Sequence, residues 1–160
     1  MLSFGVIQGD SFPILVAEDN ADDVELMKQA LPRAGLAGPV RFVGDGHDAV
    51  SYLEGKGEYS DRSQFPFPRV IISDLKMPRV DGLELLQWLR NHPQCCIIPA
   101  ILMSASSLQE DIINAYKLGA NTYFRKPSSF QDLVTLLREL KDYWNRSELP
   151  QPVAPCRAAH

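Results

Sequence analysis

The amino-acid sequence predicts an α/β fold, in which a doubly wound sheet of five parallel strands is covered by five helices. Short apolar runs rich in Val, Ile and Leu alternate with longer segments whose apolar residues recur every three or four positions. The runs are apolar almost throughout, as expected of strands that are buried on both faces. The chain has 160 residues, 45% of them hydrophobic, which suits one compact domain with a substantial core.

Five apolar runs are the candidate strands. They are residues 13–17, 40–43, 70–73, 97–103 and 122–124. Because the intervening segments are long enough for helical crossovers, consecutive strands are expected to run parallel, with right-handed connections.

The segments after the strands carry helix signals. The second helix is predicted around residues 47–53, and the last one has the longest apolar face, from Phe130 to Trp144. Candidate N-caps precede the other helices, at Asn20, Asp81, Ser107 and Ser128. We expect the last helix to pack on the sheet, although Trp144 at its end suits either a sheet cover or a dimer contact.

Three segments lie outside this pattern. Residues 55–69 contain glycines, prolines and charges and are predicted to form a long surface loop. Residues 1–12 are predicted to be an N-terminal arm, and the proline-rich residues 146–160 a disordered tail. Residues 13–145 are then the folded domain.

Charge and cysteine content exclude several classes of protein. The net charge of −4 and the pI near 5.3 disfavour binding to nucleic acid or to an anionic membrane, and no signal peptide or membrane span is recognised. Cys95 and Cys96 are adjacent and Cys156 is remote, so the cysteines form neither a disulfide framework nor a metal motif. A reducing, cytoplasmic location is expected.

Polar residues follow four of the predicted strands, at the strand ends that meet on one edge of a parallel sheet. They are Glu18 and Asp19 after the first strand, Asp74 after the third, Ser104 after the fourth and Lys126 after the fifth. Three carboxylates at one rim repel one another unless a cation lies among them, and Mg²⁺ prefers such oxygen ligands. The pattern therefore predicts a magnesium site.

Asp74 is the candidate nucleophile of this site. A carboxylate can attack phosphorus and form an acyl phosphate, while a metal ion and a lysine neutralise the transferred oxygens. Lys126 supplies a positive charge and Ser104 a hydroxyl to hold an anionic group near Asp74.

These motifs, in this order, resemble the receiver domain of two-component response regulators. The motifs are Glu18 with Asp19, Asp74 followed by Met77, Pro78, Asp81 and Gly82, Ser104 with Ala105, and Lys126 with Pro127. The resemblance covers about residues 13–145 and implies a flavodoxin-like sheet with strand order 2-1-3-4-5. Taken alone, the Asp81 and Gly82 pair is better interpreted as a turn and helix cap than as chemistry.

The resemblance assigns a role to each residue of the metal site. It implies that Asp74 is the phosphoacceptor, that Asp19 binds Mg²⁺ directly and that Glu18 assists through water. The main-chain carbonyl of Lys76 would be the third protein ligand. The Lys76 side chain also presents a long cation beside the path of an attacking water.

The same resemblance implies a switch. Ser104 matches the hydroxyl that moves to the phosphoryl group, and Lys126 matches the lysine that pairs with it. Tyr123 matches an aromatic residue that turns inward when the hydroxyl shifts, although an aromatic residue on a strand is as often simply core.

Within the family, the loop at 55–69 and the end of the last helix are similar to stand-alone regulators of cyanobacterial-type phytochrome kinases. This closer similarity implies a histidine kinase donor of the phytochrome type. It also implies a homodimer through the fourth helix, fifth strand and fifth helix.

Two functions from other classes compete with a signalling switch. One is a magnesium-dependent aspartyl-phosphate phosphohydrolase, which would need a second Asp two residues after Asp74, where this chain has Lys76. The other is a docking module that works without phosphorylation. Residues 44–49 also fit the dinucleotide pattern G-x-G-x-x-A, but they follow the second strand and carry two Asp residues that would face a pyrophosphate.

Overall fold

The structure, a computed structural model, describes residues 12–151. Within that range five strands alternate with five α-helices. In chain order they are β1 (Ile14–Ala17), α1 (Ala21–Arg33), β2 (Val40–Val43), α2 (Gly46–Glu54), β3 (Val70–Ser73), α3 (Gly82–Asn91), β4 (Ala100–Ser104), α4 (Gln109–Lys117), β5 (Thr122–Arg125) and α5 (Phe130–Arg146).

All five strands are parallel and follow the order β2-β1-β3-β4-β5. The predicted doubly wound, flavodoxin-like fold is therefore confirmed. The chain leaves β1 first to one side, for β2, and then returns to its other side, for β3. Ala17 at the end of β1 pairs with both Val43 and Ser73. A crevice opens where the winding reverses, at the carboxyl ends of β1 and β3.

The sheet separates two apolar layers. Leu15 and Ile71 belong to the layer covered by α2, α3 and α4, whereas Val16 and Ile72 belong to the layer covered by α1 and α5. Alternate residues of each strand thus enter opposite layers, which explains why the strands are apolar throughout. Trp144 is 4% exposed and lies in the second layer, so it covers the end of the sheet.

The fourth strand begins later than the sequence predicts. Cys95–Ile97 form a 3-10 turn in which Ile98 donates its N–H to the Cys95 carbonyl, and the strand starts at Ala100. Arg90 donates to the carbonyl of Ile98 as well. Apolar residues of a turn and of a buried strand look alike in the sequence, so the prediction placed the start three residues too early.

Two predicted helix caps are correct and two are wrong. Asn20 and Asp81 each accept a hydrogen bond from the backbone N–H three residues on. The cap of α5 is Ser129, not Ser128, and α4 begins after Leu108 without a side-chain cap, so Ser107 has no such role. Adjacent serines satisfy the same local pattern, and the entry angle of the chain selects between them.

The segment at 55–69 is better anchored than a surface loop would be. Arg62 donates to the carbonyls of Tyr52 and Leu53 at the end of α2. Tyr59 and Phe65 pack against Tyr52, with ring centroids 5.1 and 6.0 Å away, and the ring of Phe65 is perpendicular to that of Tyr52. An aromatic cluster therefore holds this segment on the first apolar layer.

Most of the predicted arm and tail lie outside the described residues. Of the arm, Phe12 is described and is buried, with its ring edge-on to Trp144. Arg146, the first residue of the predicted tail, still belongs to α5. The helices between residues 12 and 151 are too short or too polar to cross a membrane.

Candidate functional site

Asp74 lies at the crevice between β1 and β3, directly after the end of β3. Its backbone N–H donates to the carbonyl of Ala17, which ties it to the end of β1. The side chain is buried. One carboxylate oxygen accepts from the N–H of Leu75 at 2.7 Å, and the other accepts from Lys126 Nζ at 3.1 Å. This second oxygen, which faces the Lys126 ammonium, is the candidate nucleophile.

The turn after Asp74 is closed by glycine. Gly82 donates its N–H to the Leu75 carbonyl at 2.8 Å, and a Cβ atom at this position would overlap the Asp74 carbonyl. Asp81 accepts from the N–H of Glu84 and so starts α3, as predicted. Only glycine allows the helix to begin so close to the backbone of Asp74.

The three predicted acidic residues lie together. Carboxylate oxygens of Glu18, Asp19 and Asp74 are within 4.8 Å of one another. Glu18 is buried and Asp19 is exposed at the mouth of the crevice. Burial raises the pKa of Glu18 to about 7, in spite of its hydrogen bond from Lys126. Close, hard oxygen ligands suit a divalent cation, which would also favour the ionised carboxylates, so these residues fit Mg²⁺.

Lys126 joins these carboxylates with one ammonium group. Its Nζ lies 2.7 Å from Asp23, 2.9 Å from Glu18 and 3.1 Å from Asp74. Burial alone would lower the pKa of Lys126, but the hydrogen bonds to Asp23 and Glu18, together with the negative charges of Asp74 and Glu18, raise the pKa above its ordinary value. The ammonium therefore stays charged.

Asp23 is the site residue that the sequence did not predict. It lies in the first turn of α1, where an acidic residue is already favoured by the helix macrodipole. Because the helix start alone accounts for an acidic residue here, the sequence gives no reason to expect that Asp23 contacts Lys126. Asp23 lies four positions after the predicted Asp19, and nothing local in the sequence relates it to position 126.

Ser104 is the last residue of β4, and Tyr123 lies on the neighbouring strand β5. The Ser104 side chain is buried, its hydroxyl accepts from the N–H of Ser106 at 3.2 Å, and its carbonyl accepts from the N–H of Lys126. Tyr123 packs against the first apolar layer and donates its hydroxyl to the Ser106 carbonyl at 2.8 Å. Both side chains therefore contact the loop that follows β4.

A second acidic group at the start of α2 is a structural clamp. Asp45 accepts from the N–H of Asp48 and caps the helix, and it also accepts from Arg79 Nε at 2.7 Å. Arg79, with a φ of 63°, lies in the turn after Asp74 and contacts Asp48 as well. The G-x-G-x-x-A segment at residues 44–49 is thus the capped start of α2. The Asp45 carboxylate already accepts hydrogen bonds from Asp48 and Arg79 there.

Comparison with known proteins gives one family. The family model described as response regulator receiver domain matches residues 14–138. The probable methanogenesis regulatory protein FilR2 of Methanothrix harundinacea is 34% identical to this chain, in an alignment that covers 93% of this chain and 99% of that protein.

Solved structures of similar fold include two response regulators. The response regulator RPA3017 in red light signaling of R. palustris has a TM-score of 0.82 and 34% identity, covering 87% of this chain and 98% of that one. The phosphorylated cyanobacterial phytochrome response regulator RcpA has a TM-score of 0.80 and 30% identity, covering 88% of this chain and 99% of that one.

Proposed function

This chain belongs to the response regulator receiver domain family, and we propose that it is a signalling switch that accepts a phosphoryl group on Asp74. The observation that carries the proposal is the position of Asp74. The carboxylate oxygen that does not bond to Leu75 lies 3.1 Å from the Lys126 ammonium, within a group of acidic oxygens that suits a divalent cation.

The chemistry assigned to Asp74 is nucleophilic. Its carboxylate oxygen attacks the phosphorus of a phosphohistidine, an O–P bond forms, and the P–N bond breaks with its electron pair returning to the histidine nitrogen. Lys126 stabilises the negative charge on the transferred oxygens. The hydrogen bond from the Leu75 N–H fixes the other carboxylate oxygen, so the nucleophilic oxygen keeps its direction.

Glu18, Asp19, Asp74 and the main-chain carbonyl of Lys76 are the proposed magnesium ligands. The proximity of the three carboxylates supports this set. When bound, Mg²⁺ supplies positive charge that offsets the charge of the incoming phosphoryl oxygens. Asp19, exposed at the mouth, is accessible to an ion from solvent, whereas Glu18 is buried behind it and acts through water.

We assign the transmission of the signal to Ser104, Tyr123 and Lys126. Movement of the Ser104 hydroxyl toward the phosphoryl group would break its bond with the Ser106 N–H. Tyr123 on β5 donates its hydroxyl to the Ser106 carbonyl, so a movement of the loop after β4 would also change the position of Tyr123. Phosphorylation then biases a two-state equilibrium of the surface formed by α4, β5 and α5.

The proposed partners are a histidine kinase of the phytochrome type and a second copy of this chain. The similar structures of RPA3017, in red light signaling, and of the phytochrome response regulator RcpA support the first. Large apolar side chains on α4 and α5 support a homodimer through α4, β5 and α5, since Ile113, Tyr116 and Tyr143 are exposed there. Nucleic acid and membranes are not proposed as partners, and the proposed location is the cytoplasm.

The test is to incubate the protein with acetyl phosphate and MgCl₂, and to compare it with Asp74→Asn by intact mass and by size-exclusion chromatography. A phosphoryl adduct that needs Mg²⁺ and Asp74 is expected, and beryllofluoride should mimic its effect on size. Absence of a metal-dependent adduct on the wild-type chain would refute the switch. Rapid multiple turnover of small phosphate esters would instead favour the phosphohydrolase.

Lys126→Ala separates the chemical step from the signal. We expect this variant to accept phosphate on Asp74 and to fail to change its oligomeric state, because the pairing between the phosphoryl group and the residue that follows β5 is lost. A normal change of size after phosphorylation would contradict the coupling role of Lys126.

A further inference from the structure

Asp23 makes the shortest of the three ion pairs of Lys126. Its carboxylate oxygen lies 2.7 Å from Nζ, compared with 2.9 Å for Glu18 and 3.1 Å for Asp74. An ammonium group has three hydrogens to donate. Three carboxylates therefore occupy all the donors of Lys126 before any phosphoryl group arrives.

The preference for acidic residues in the first turn of a helix does not explain the contact between Asp23 and Lys126. Asp23 is the third residue of α1, and its N–H donates to the cap Asn20. Asp22, in the same turn, gains the same interaction with the helix macrodipole. Asp22 is exposed, however, and is not among the partners of Lys126 in the described part of the chain.

The three carboxylates differ in how readily they release the ammonium. The side chain of Asp23 is 35% exposed, whereas that of Glu18 is 6% exposed and that of Asp74 is 10% exposed. A carboxylate that loses its partner while buried is left without solvation, whereas one at the surface is rehydrated. Asp23 is therefore the partner from which Lys126 detaches most easily.

We propose that Asp23 is a positioning residue that holds Lys126 and competes with the phosphoryl group for it, which restrains phosphorylation of Asp74. This inference rests on the proposed function of Asp74. A phosphoryl oxygen that approaches Asp74 must take one hydrogen of Lys126 from a carboxylate, and Asp23 gives it up. No bond to Asp23 forms or breaks in the transfer itself.

The test compares Asp23→Asn with Asp22→Asn, which makes the same chemical change one residue away. Acetyl phosphate and MgCl₂ supply the phosphoryl group, and intact mass measures the initial rate of adduct formation. Loss of a partly exposed, charge-assisted hydrogen bond predicts about three- to tenfold faster labelling of Asp23→Asn. Asp22→Asn should label at the wild-type rate. An unchanged or slower rate for Asp23→Asn would overturn the proposal.

A double variant tests whether Asp23 acts through Lys126. In a Lys126→Ala background, Asp23→Asn should give no further change in rate, because the competition has been removed. The same acceleration in both backgrounds would refute the competition, since it would then arise from the charge of Asp23 alone. Thermal unfolding of each variant checks that it is folded, and Asp23→Ala serves as a second probe if Asp23→Asn is not.

These outcomes are distinct from a failure of the proposed function. If the wild-type chain forms no adduct at Asp74, the phosphoacceptor assignment fails. If the wild-type chain is labelled and Asp23→Asn is labelled no faster, only the role of Asp23 fails.

Discussion

Repulsion among Glu18, Asp19 and Asp74 should destabilise the metal-free protein, so removing one of these charges should raise its free energy of unfolding. Carboxylate oxygens of Glu18, Asp19 and Asp74 are within 4.8 Å of one another, and Lys126 contacts Glu18 and Asp74 but not Asp19. Two unit charges at that separation repel by about 1 kcal/mol in a water-like dielectric and by about 3 kcal/mol at an effective dielectric constant of 20. Asp19 is exposed, so the lower figure applies.

Asp19→Asn is therefore expected to stabilise the protein in chelator by about 1 kcal/mol, which raises the melting temperature by about 2–4 °C. In magnesium, the wild type should instead have the higher melting temperature. At a free concentration ten times its dissociation constant, an ion that binds only the folded wild-type chain adds about 1.4 kcal/mol, or about 3–6 °C. Asp19→Asn should lack most of this gain, because it removes one of the proposed ligands of the ion.

Thermal unfolding followed by circular dichroism, in EDTA and in MgCl₂, measures both effects. Asp22→Asn is the control, since it removes a nearby exposed charge and leaves the three clustered carboxylates intact. The reasoning is refuted if Asp19→Asn melts below the wild type in EDTA, or if it retains the full magnesium-dependent gain.

Three further predictions concern Tyr52, Gly82 and Lys76. Burial raises the pKa of Tyr52 to about 12, and its hydroxyl donates to the Pro66 carbonyl. Since the unfolded side chain ionises near 10, stability should be complete below that pH and fall by about 2–3 kcal/mol as the pH rises to 12. Urea titrations should show a smaller fall in Tyr52→Phe. Gly82→Ala should lower the free energy of unfolding by about 2 kcal/mol, because the added Cβ meets the Asp74 carbonyl, and a wild-type urea midpoint would argue against that contact. Lys76→Asn should change the rate at which the phosphorylated protein loses phosphate, since the exposed Lys76 side chain lies two residues from Asp74; an identical decay by intact mass would remove this role.

The sheet could be predicted because its signals are local. Each strand is a short apolar run between helical segments, and the parallel order follows from long crossovers. The start of β4 could not be predicted, since the fold of a turn at Cys95–Ile97 depends on carbonyls that Arg90 holds from α3. The cap of α5 was misplaced by one residue for a similar reason, because Ser128 and Ser129 are equivalent until the path of the chain is known.

The candidate site divides in the same way. Glu18, Asp19, Asp74 and Lys126 are recognisable because the ends of parallel strands converge on one edge, whatever the details of packing. By itself the sequence thus determined the fold, the sheet edge at which these four side chains meet, and the identity of those four residues. Only the tertiary structure decided the third carboxylate partner of Lys126, which is Asp23. Asp23 and position 126 are 103 residues apart, and they meet because the first turn of α1 lies beside the segment that joins β5 to α5. Such a contact depends on how a helix lies against a distant connecting segment, and no periodicity or spacing in the chain encodes it.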